Sequence, residues 1–317
     1  MIRGVERSPA ADQPRVTVFG PHPVLDVTID RRGADEDDIH IHAAGQGVWV
    51  ARMAGEMGAH PILCGFCGGE TGLLLRPLLD ALPGEARCVE TVSSSGAWVI
   101  DRRSGEREMV ASIYSDPPTR HEVDDLFSVT TAAAMNSRVL ICCGPFPQES
   151  FEPELYRRLV KDVRAQGTTV VVDLSPPRLD RALEGGPDLV KVDDWQLAEY
   201  VRDDVGTPAR FRAAAETILE RGAGAVVATR GGEPALVVCE DRAWELVPPK
   251  FEEGASEGSG DSMVGALAAA IARGLEFEEA LRVGAAAGAA NFLRRGLGTG
   301  SRAVVGDLVE RVELRPL

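Results

Sequence analysis

The sequence predicts an α/β protein: a doubly wound, mostly parallel β-sheet with helices on both faces and a small β-sheet lid. Three observations predict it. Short apolar runs rich in β-branched residues and ending in Gly or Asp alternate with amphipathic helical stretches, the pattern of a parallel sheet covered by helices. Two segments, 27–43 and 86–111, break the alternation with strand-like sequence and no helix, which suits a separate small sheet. At 317 residues, 44% of them hydrophobic, the chain can bury a full core and sits at the upper end for one α/β domain.

In chain order, residues 1–14 lack an apolar run and are expected to form a flexible tail, leaving 15–317 as a single domain. A first strand over 15–20 (Arg-Val-Thr-Val-Phe-Gly) leads into the lid segment 27–43, a helix over 47–58, a strand over 60–66 and a helix over 71–82. The lid segment 86–111 follows, with its turn Arg102-Arg-Ser-Gly-Glu106, and then a helix over 122–134. Strands over 138–143, 168–173, 187–192 and 224–229 alternate with helices over 150–165, 194–202 and 207–221. Helices over 261–273 and 276–294 complete the reading.

The formal net charge of −15 disfavours nucleic-acid or anionic-membrane partners, although a local basic pocket is still able to hold a phosphorylated metabolite. The longest apolar run, Met263 to Ala272, is far short of the roughly 18 residues that span a bilayer, and no signal-peptide core opens the chain. A cytoplasmic protein with a small-molecule partner is expected. Only Lys161, Lys191 and Lys250 are lysines among the 34 basic residues. Cys64-Gly-Phe-Cys67 has the spacing of zinc and redox sites, but no second such pair or nearby His pair completes a tetrahedral set. The six cysteines read as small core hydrophobes.

Chemistry concentrates in Gly254-Ala-Ser-Glu-Gly-Ser-Gly-Asp-Ser-Met263, directly before an Ala-rich helix. Backbone N–H groups of Ser259, Gly260 and Asp261 would sit at the positive end of that helix, and Gly258 and Gly260 would let a polyphosphate approach the main chain. A carboxylate beside an anion needs a task, and taking a proton from an attacking hydroxyl suits Asp261. The plain alternative is an Asp near an N-cap with glycine punctuation. Gly254-x-Ser256-x-Gly258 also matches a hydrolase nucleophile elbow, but all five histidines precede Ser256, so the Ser, acid, His order fails.

With this late Gly-Ser-Gly-Asp, an early Gly-rich segment and a β lid, the chain resembles the ribokinase-like (PfkB) carbohydrate kinases from end to end. Gly258-Ser-Gly-Asp-Ser-Met-Val-Gly265 is similar to that family's C-terminal signature, in the form seen in 1-phosphofructokinases and tagatose-6-phosphate kinases. Pro23-Val-Leu-Asp26, Ala44-Gly-Gln-Gly-Val-Trp-Val-Ala-Arg52 and Gly65-Phe-Cys-Gly-Gly-Glu-Thr-Gly72 resemble three further motifs in the right order. The resemblance implies ATP and Mg2+ as cofactors, Asp261 as the base, and Gly258 to Asp261 as the anion hole. It makes Asp26 a partner for acceptor hydroxyls, with Gly45, Gln46, Gly47 and Trp49 beside it. Lys191, Asp193, Thr229, Gly231, Ser256 and Asn291 become the ATP-site residues, Asn291 approaching the adenine or else facing solvent.

The acceptor side departs from the family. Gln46 stands where the family has Lys, removing a cation for a phosphosugar, and Trp49 stands where it usually has Asn. Ser95-Gly-Ala-Trp98 lacks a frequent Arg. These losses imply either an unphosphorylated acceptor or a phosphate clamp built from Arg52, Arg102, Arg103 or Arg107. Asp193-Asp-Trp-Gln196 replaces an Asn-x-x-Glu pattern that influences magnesium through water. His40 and His42 share one face of a lid strand and either contact substrate or pack the lid.

The leading reading is phosphoryl transfer from ATP to a hydroxyl of a sugar or sugar phosphate. A kinase for a nucleoside or other unphosphorylated polyol is the alternative, and a ligand-binding or regulatory protein on the kinase fold is the alternative of another class. Exposed lid strands are expected to meet a second subunit in a homodimer.

Overall fold

The computed structural model describes residues 13–33, 36–147, 150–294 and 297–317, so nearly all of the tail expected over 1–14 lies outside the described residues. The strands, in chain order, begin with β1 (Arg15–Phe19), β2 (Val24–Arg31), β3 (Asp37–Ala44), β4 (His60–Gly68), β5 (Glu85–Thr91), β6 (Ala97–Asp101) and β7 (Glu108–Ile113). They continue with β8 (Val139–Cys143), β9 (Thr169–Asp173), β10 (Leu189–Asp193), β11 (Ala225–Arg230), β12 (Glu233–Cys239), β13 (Arg242–Val247) and β14 (Glu313–Pro316). The large sheet runs β14-β13-β12-β11-β10-β9-β8-β1-β4-β5, and the segment from β11 to β5 is parallel throughout.

Successive valines of β9 point to opposite faces. Val171 joins one core and Val170 and Val172 the other, so the strand is apolar on both sides and reads as a continuous run. One face is covered by α1 (Gln46–Glu56), α2 (Gly69–Asp80), α8 (Ser259–Ala272), α9 (Phe277–Phe292) and α10 (Arg302–Val309). The other is covered by α3 (Arg120–Ala134), α4 (Glu154–Arg164), α5 (Arg178–Gly185), α6 (Asp194–Val201) and α7 (Pro208–Glu220). No helix among the described residues is long and apolar enough to cross a membrane.

The small sheet has the order β3-β2-β6-β7, with β2 and β6 parallel and both edge pairs antiparallel. Its extent corrects the expectation for 86–111. Residues 85–91 form β5, which pairs with β4 in the large sheet, and only β6 and β7 of that segment belong to the lid. Alternating half-buried residues mark a strand but do not choose its partner. Three antiparallel strands, β12 to β14, and the short helices α5 and α10 were not expected. The β12–β13 hairpin carries a legible signal: the apolar run Ala235–Val238, the two-residue turn Glu240-Asp241, then buried Trp244 and Leu246 in alternation.

From β1 the chain builds β4 and β5 on one side, and β8 then lies on the other side of β1. The crevice beyond the C-terminal ends of β1 and β8 is therefore a topological switch point, where doubly wound sheets take ligands.

Candidate active site

Helix α8 is Ala-rich and almost wholly buried, and it begins at Gly258, whose φ of 74° lies in the left-handed region that glycine enters without steric cost. Ser262 N donates to Gly258 O at 2.9 Å, closing the first helical turn. Ser259 N is taken by Ser256 O at 3.1 Å, so of the three N–H groups expected at this helix start it is not open to a phosphate. Among the described residues, no protein acceptor takes the N–H of Gly260 or Asp261, so these two remain aimed outward at the helix start.

Beneath them, β10 and β9 deliver Lys191 and Asp173 as register partners, with Nζ 3.3 Å from Oδ2 and both side chains almost fully buried. A Cβ added to Gly260 would stand 2.8 Å from Lys191 Nζ, so a side chain there would push into the ammonium. Burial disfavours the Lys191 charge, but the carboxylates of Asp173, Asp193 and Asp261 outweigh it and hold the pKa above its ordinary value. Asp261 is half-buried in the first turn of α8. Loss of hydration first, and the Asp173 charge second, push its carboxyl up to about 7 against the opposing pull of Lys191 and the Gln46 amide.

Asp173 is a site residue that the sequence reading missed. Its signal was a valine strand ending in Asp at the ligand-facing end of a parallel sheet. Gln46, at the start of α1, brackets the switch point: Gly144 N donates to its Oε1 at 2.9 Å, and its Nε2 donates to Asp173 O at 3.4 Å.

A cavity of about 540 Å3 opens beside α8, lined by Lys191, Asp193, Thr229, Gly231, Ser256, Ser259 and Gly260, with Phe251, Ala285, Ala289 and Phe292 as its apolar wall. The structure thus brings together all the expected nucleotide-site residues except Asn291. The Asn291 side chain is buried, donating to Glu257 O at 2.8 Å and accepting from Thr299 N at 3.2 Å, so it ties the loop before α8 to the loop after α9 and neither faces solvent nor lines the cavity. Asp193 and Gln196 form a reciprocal capping box on α6, and the Gln196 amide also reaches Asp173 and Ser175. Among the described residues no cluster of three or more metal-ligating side chains occurs. The Asp193 carboxylate at the cavity wall fits a divalent cation carried on nucleotide phosphates.

On the acceptor side, Asp26 of β2 accepts from Thr28 Oγ1 at 2.6 Å and from Arg107 Nη2 at 3.1 Å. It lines a chamber of about 320 Å3 with Trp49, Arg52 and His42. Burial first, and the Arg52 charge second, hold His42 below its ordinary value. A second chamber, about 250 Å3, lies at the switch point and is lined by Gly45, Gln46, Gly47, Trp49, Trp98, Phe146 and the unforeseen His22. Burial, then the Arg178 charge, push His22 down to about 4 and keep its imidazole neutral. Trp49 borders both chambers.

Comparison with known proteins places the chain among relatives of one family. The chain is 30% identical over 263 residues to the ATP-dependent 6-phosphofructokinase isozyme 2 of Escherichia coli, covering 80% of this chain and 82% of that protein. It is 24% identical over 280 residues to the 1-phosphofructokinase of Vibrio cholerae, covering 87% of each. The crystal structure of phosphofructokinase-2 from Escherichia coli in complex with potassium superposes with a TM-score of 0.82 at 25% identity, over 94% of this chain and 99% of that one. The family model for pfkB family carbohydrate kinases matches residues 23–303, and the chain belongs to that family.

Proposed function

We propose that this carbohydrate kinase transfers the γ-phosphoryl group of ATP to a hydroxyl of a sugar or sugar phosphate, with Asp261 as the base. The observation that carries the reading is the Asp261 carboxyl at the start of α8, pushed up to about 7 and set beside the buried Lys191 ammonium. A base with that value is partly ionised at neutral pH and strong enough to take a hydroxyl proton as the oxygen attacks, a contribution of roughly 10²–10⁴-fold. The N–H groups of Gly260 and Asp261 donate to the transferring phosphoryl oxygens, and the Lys191 charge behind Gly260 offsets their growing negative charge. Asp26 accepts from acceptor hydroxyls on the lid side and fixes the orientation of attack. Asp193 would stand near a Mg2+ carried on the nucleotide phosphates, and the cation would supply charge neutralisation there. Such a reaction belongs in the cytoplasm, where ATP is abundant.

The lid also supports a homodimer. Ile39 and Ile41 on edge strand β3, and Val110 and Ile113 on edge strand β7, are each more than half exposed. Paired edges carrying such residues need cover.

The test is magnesium-dependent ADP release over a panel of ketose phosphates, free sugars and nucleosides, with Asp261→Asn as the blank. Release above the blank on one acceptor is expected. Release by Asp261→Asn at the wild-type rate would remove the base, and silence on every acceptor would favour a binding or regulatory protein on this fold.

A further inference from the structure

The arginines available to clamp an acceptor phosphate are used by the protein itself. Arg52 donates through Nη1 to Leu297 O at 2.8 Å and through Nη2 to Ala43 O at 3.2 Å. Arg107 is held by Asp26, and Arg103 by Asp101 and Asp37, while Arg102 has an interaction of its own within the protein. Gln46 supplies a neutral amide that is already bonded on both sides.

The switch-point chamber sets an aromatic wall of Trp49, Trp98 and Phe146 against polar groups of Asp173, Ser175, Arg178 and Gln196. Trp98 faces Trp49 at 6.4 Å and Phe146 at 6.0 Å between ring centroids. Its side chain is 8% exposed, yet its Nε1–H has no hydrogen-bond partner among the described residues. An indole N–H only donates, and leaving it buried and unpaired is costly, so an acceptor entering the chamber that Trp98 lines would relieve that cost. His22 Nδ1, on a neutral ring 9% exposed, is likewise without a partner and lines the same chamber. Arg178 lines it too, but is already engaged within the protein. A volume of about 250 Å3, the liquid share of about eight waters, holds one hydroxylated ring system.

We infer that this chamber binds the ring of an unphosphorylated acceptor, a cyclic polyol whose apolar face lies on the Trp98 and Phe146 wall and whose oxygen accepts the Trp98 Nε1–H. Free sugars and nucleosides share that chemistry. The inference rests on the kinase reading of Asp261 and narrows its substrate class.

The experiment measures ADP release and intrinsic tryptophan fluorescence for free sugars, nucleosides and the phosphate of each, with wild type, Trp98→Phe and Phe146→Leu. The unphosphorylated form is expected to exceed its phosphate in kcat/KM. Trp98→Phe keeps a ring and loses the N–H, so KM for that acceptor should rise about tenfold, with kcat and the KM for ATP little changed. Phe146 stands at the rim, so Phe146→Leu should raise the same KM without endangering the fold. Whether sugar or nucleoside gives the higher kcat/KM identifies the ring. Preference for the phosphorylated form, or an unchanged KM in both variants, would overturn the inference. Fluorescence quenching by the unphosphorylated ring without any ADP release would uphold the chamber and sink the kinase reading instead.

Discussion

Lys191 and Asp173 face each other as register partners at the ligand-facing ends of β10 and β9, with Nζ and Oδ2 3.3 Å apart and almost no exposure to solvent. Each offsets part of the cost of burying the other's charge. Removing one partner of such a pair costs about 3–5 kcal/mol, so Lys191→Met and Asp173→Asn should both lower the urea midpoint strongly. Their effects on catalysis should diverge, because Lys191 also stands behind Gly260 in the turn proposed to bind the phosphoryl group.

The pH dependence follows from Asp261. Its carboxyl must be ionised to act, so kcat/KM should rise about tenfold per pH unit below about 7 and level off above it. Asp173 raises that value and Lys191 lowers it. Asp173→Asn should therefore move the profile to lower pH, and Lys191→Met to higher pH.

The same shift acts on stability. A carboxyl whose folded value exceeds its unfolded one stabilises fully below the ordinary carboxylate range, and the contribution is lost as pH rises through about 7. Unliganded wild type should lose melting temperature relative to Asp261→Asn between pH 5 and 8. Parallel curves would mean that Asp261 is not perturbed.

Gly258→Ala should be more damaging than a methyl group implies. The φ of 74° costs about 1–2 kcal/mol for an L side chain, and the new Cβ would meet Gly298 N at 3.2 Å. The helix start would shift, and kcat should fall while acceptor KM changes less.

Asn291→Ala should act through structure. It removes the bonds from Asn291 to Glu257 O and Thr299 N, a loss of about 1–3 kcal/mol in chemical denaturation. Discrimination between ATP and GTP should stay as in wild type. A collapse of that discrimination would place Asn291 at the base.

Ile41→Lys, on the exposed edge strand β3, should convert a dimer to monomers by light scattering. A monomeric wild type would remove the lid interface.

By itself the sequence determined what depends on neighbours along the chain. The valine-rich runs marked the parallel strands because both faces of those strands are buried. Gly258-Ser-Gly-Asp261 marked the helix start and the proposed base together because they occupy one turn. The tertiary structure decided what depends on which elements meet. It put β5 into the large sheet, since strand pairing is a choice of partner that local alternation does not encode. It placed Asp173 against Lys191, turned Asn291 into a loop tie, and gathered His22, Trp98 and Phe146 from three separate segments into one chamber. His22, Trp98 and Phe146 carry no distinctive local pattern, because each draws its chemistry from neighbours distant in sequence: burial, a facing ring, or a hydrogen bond left open.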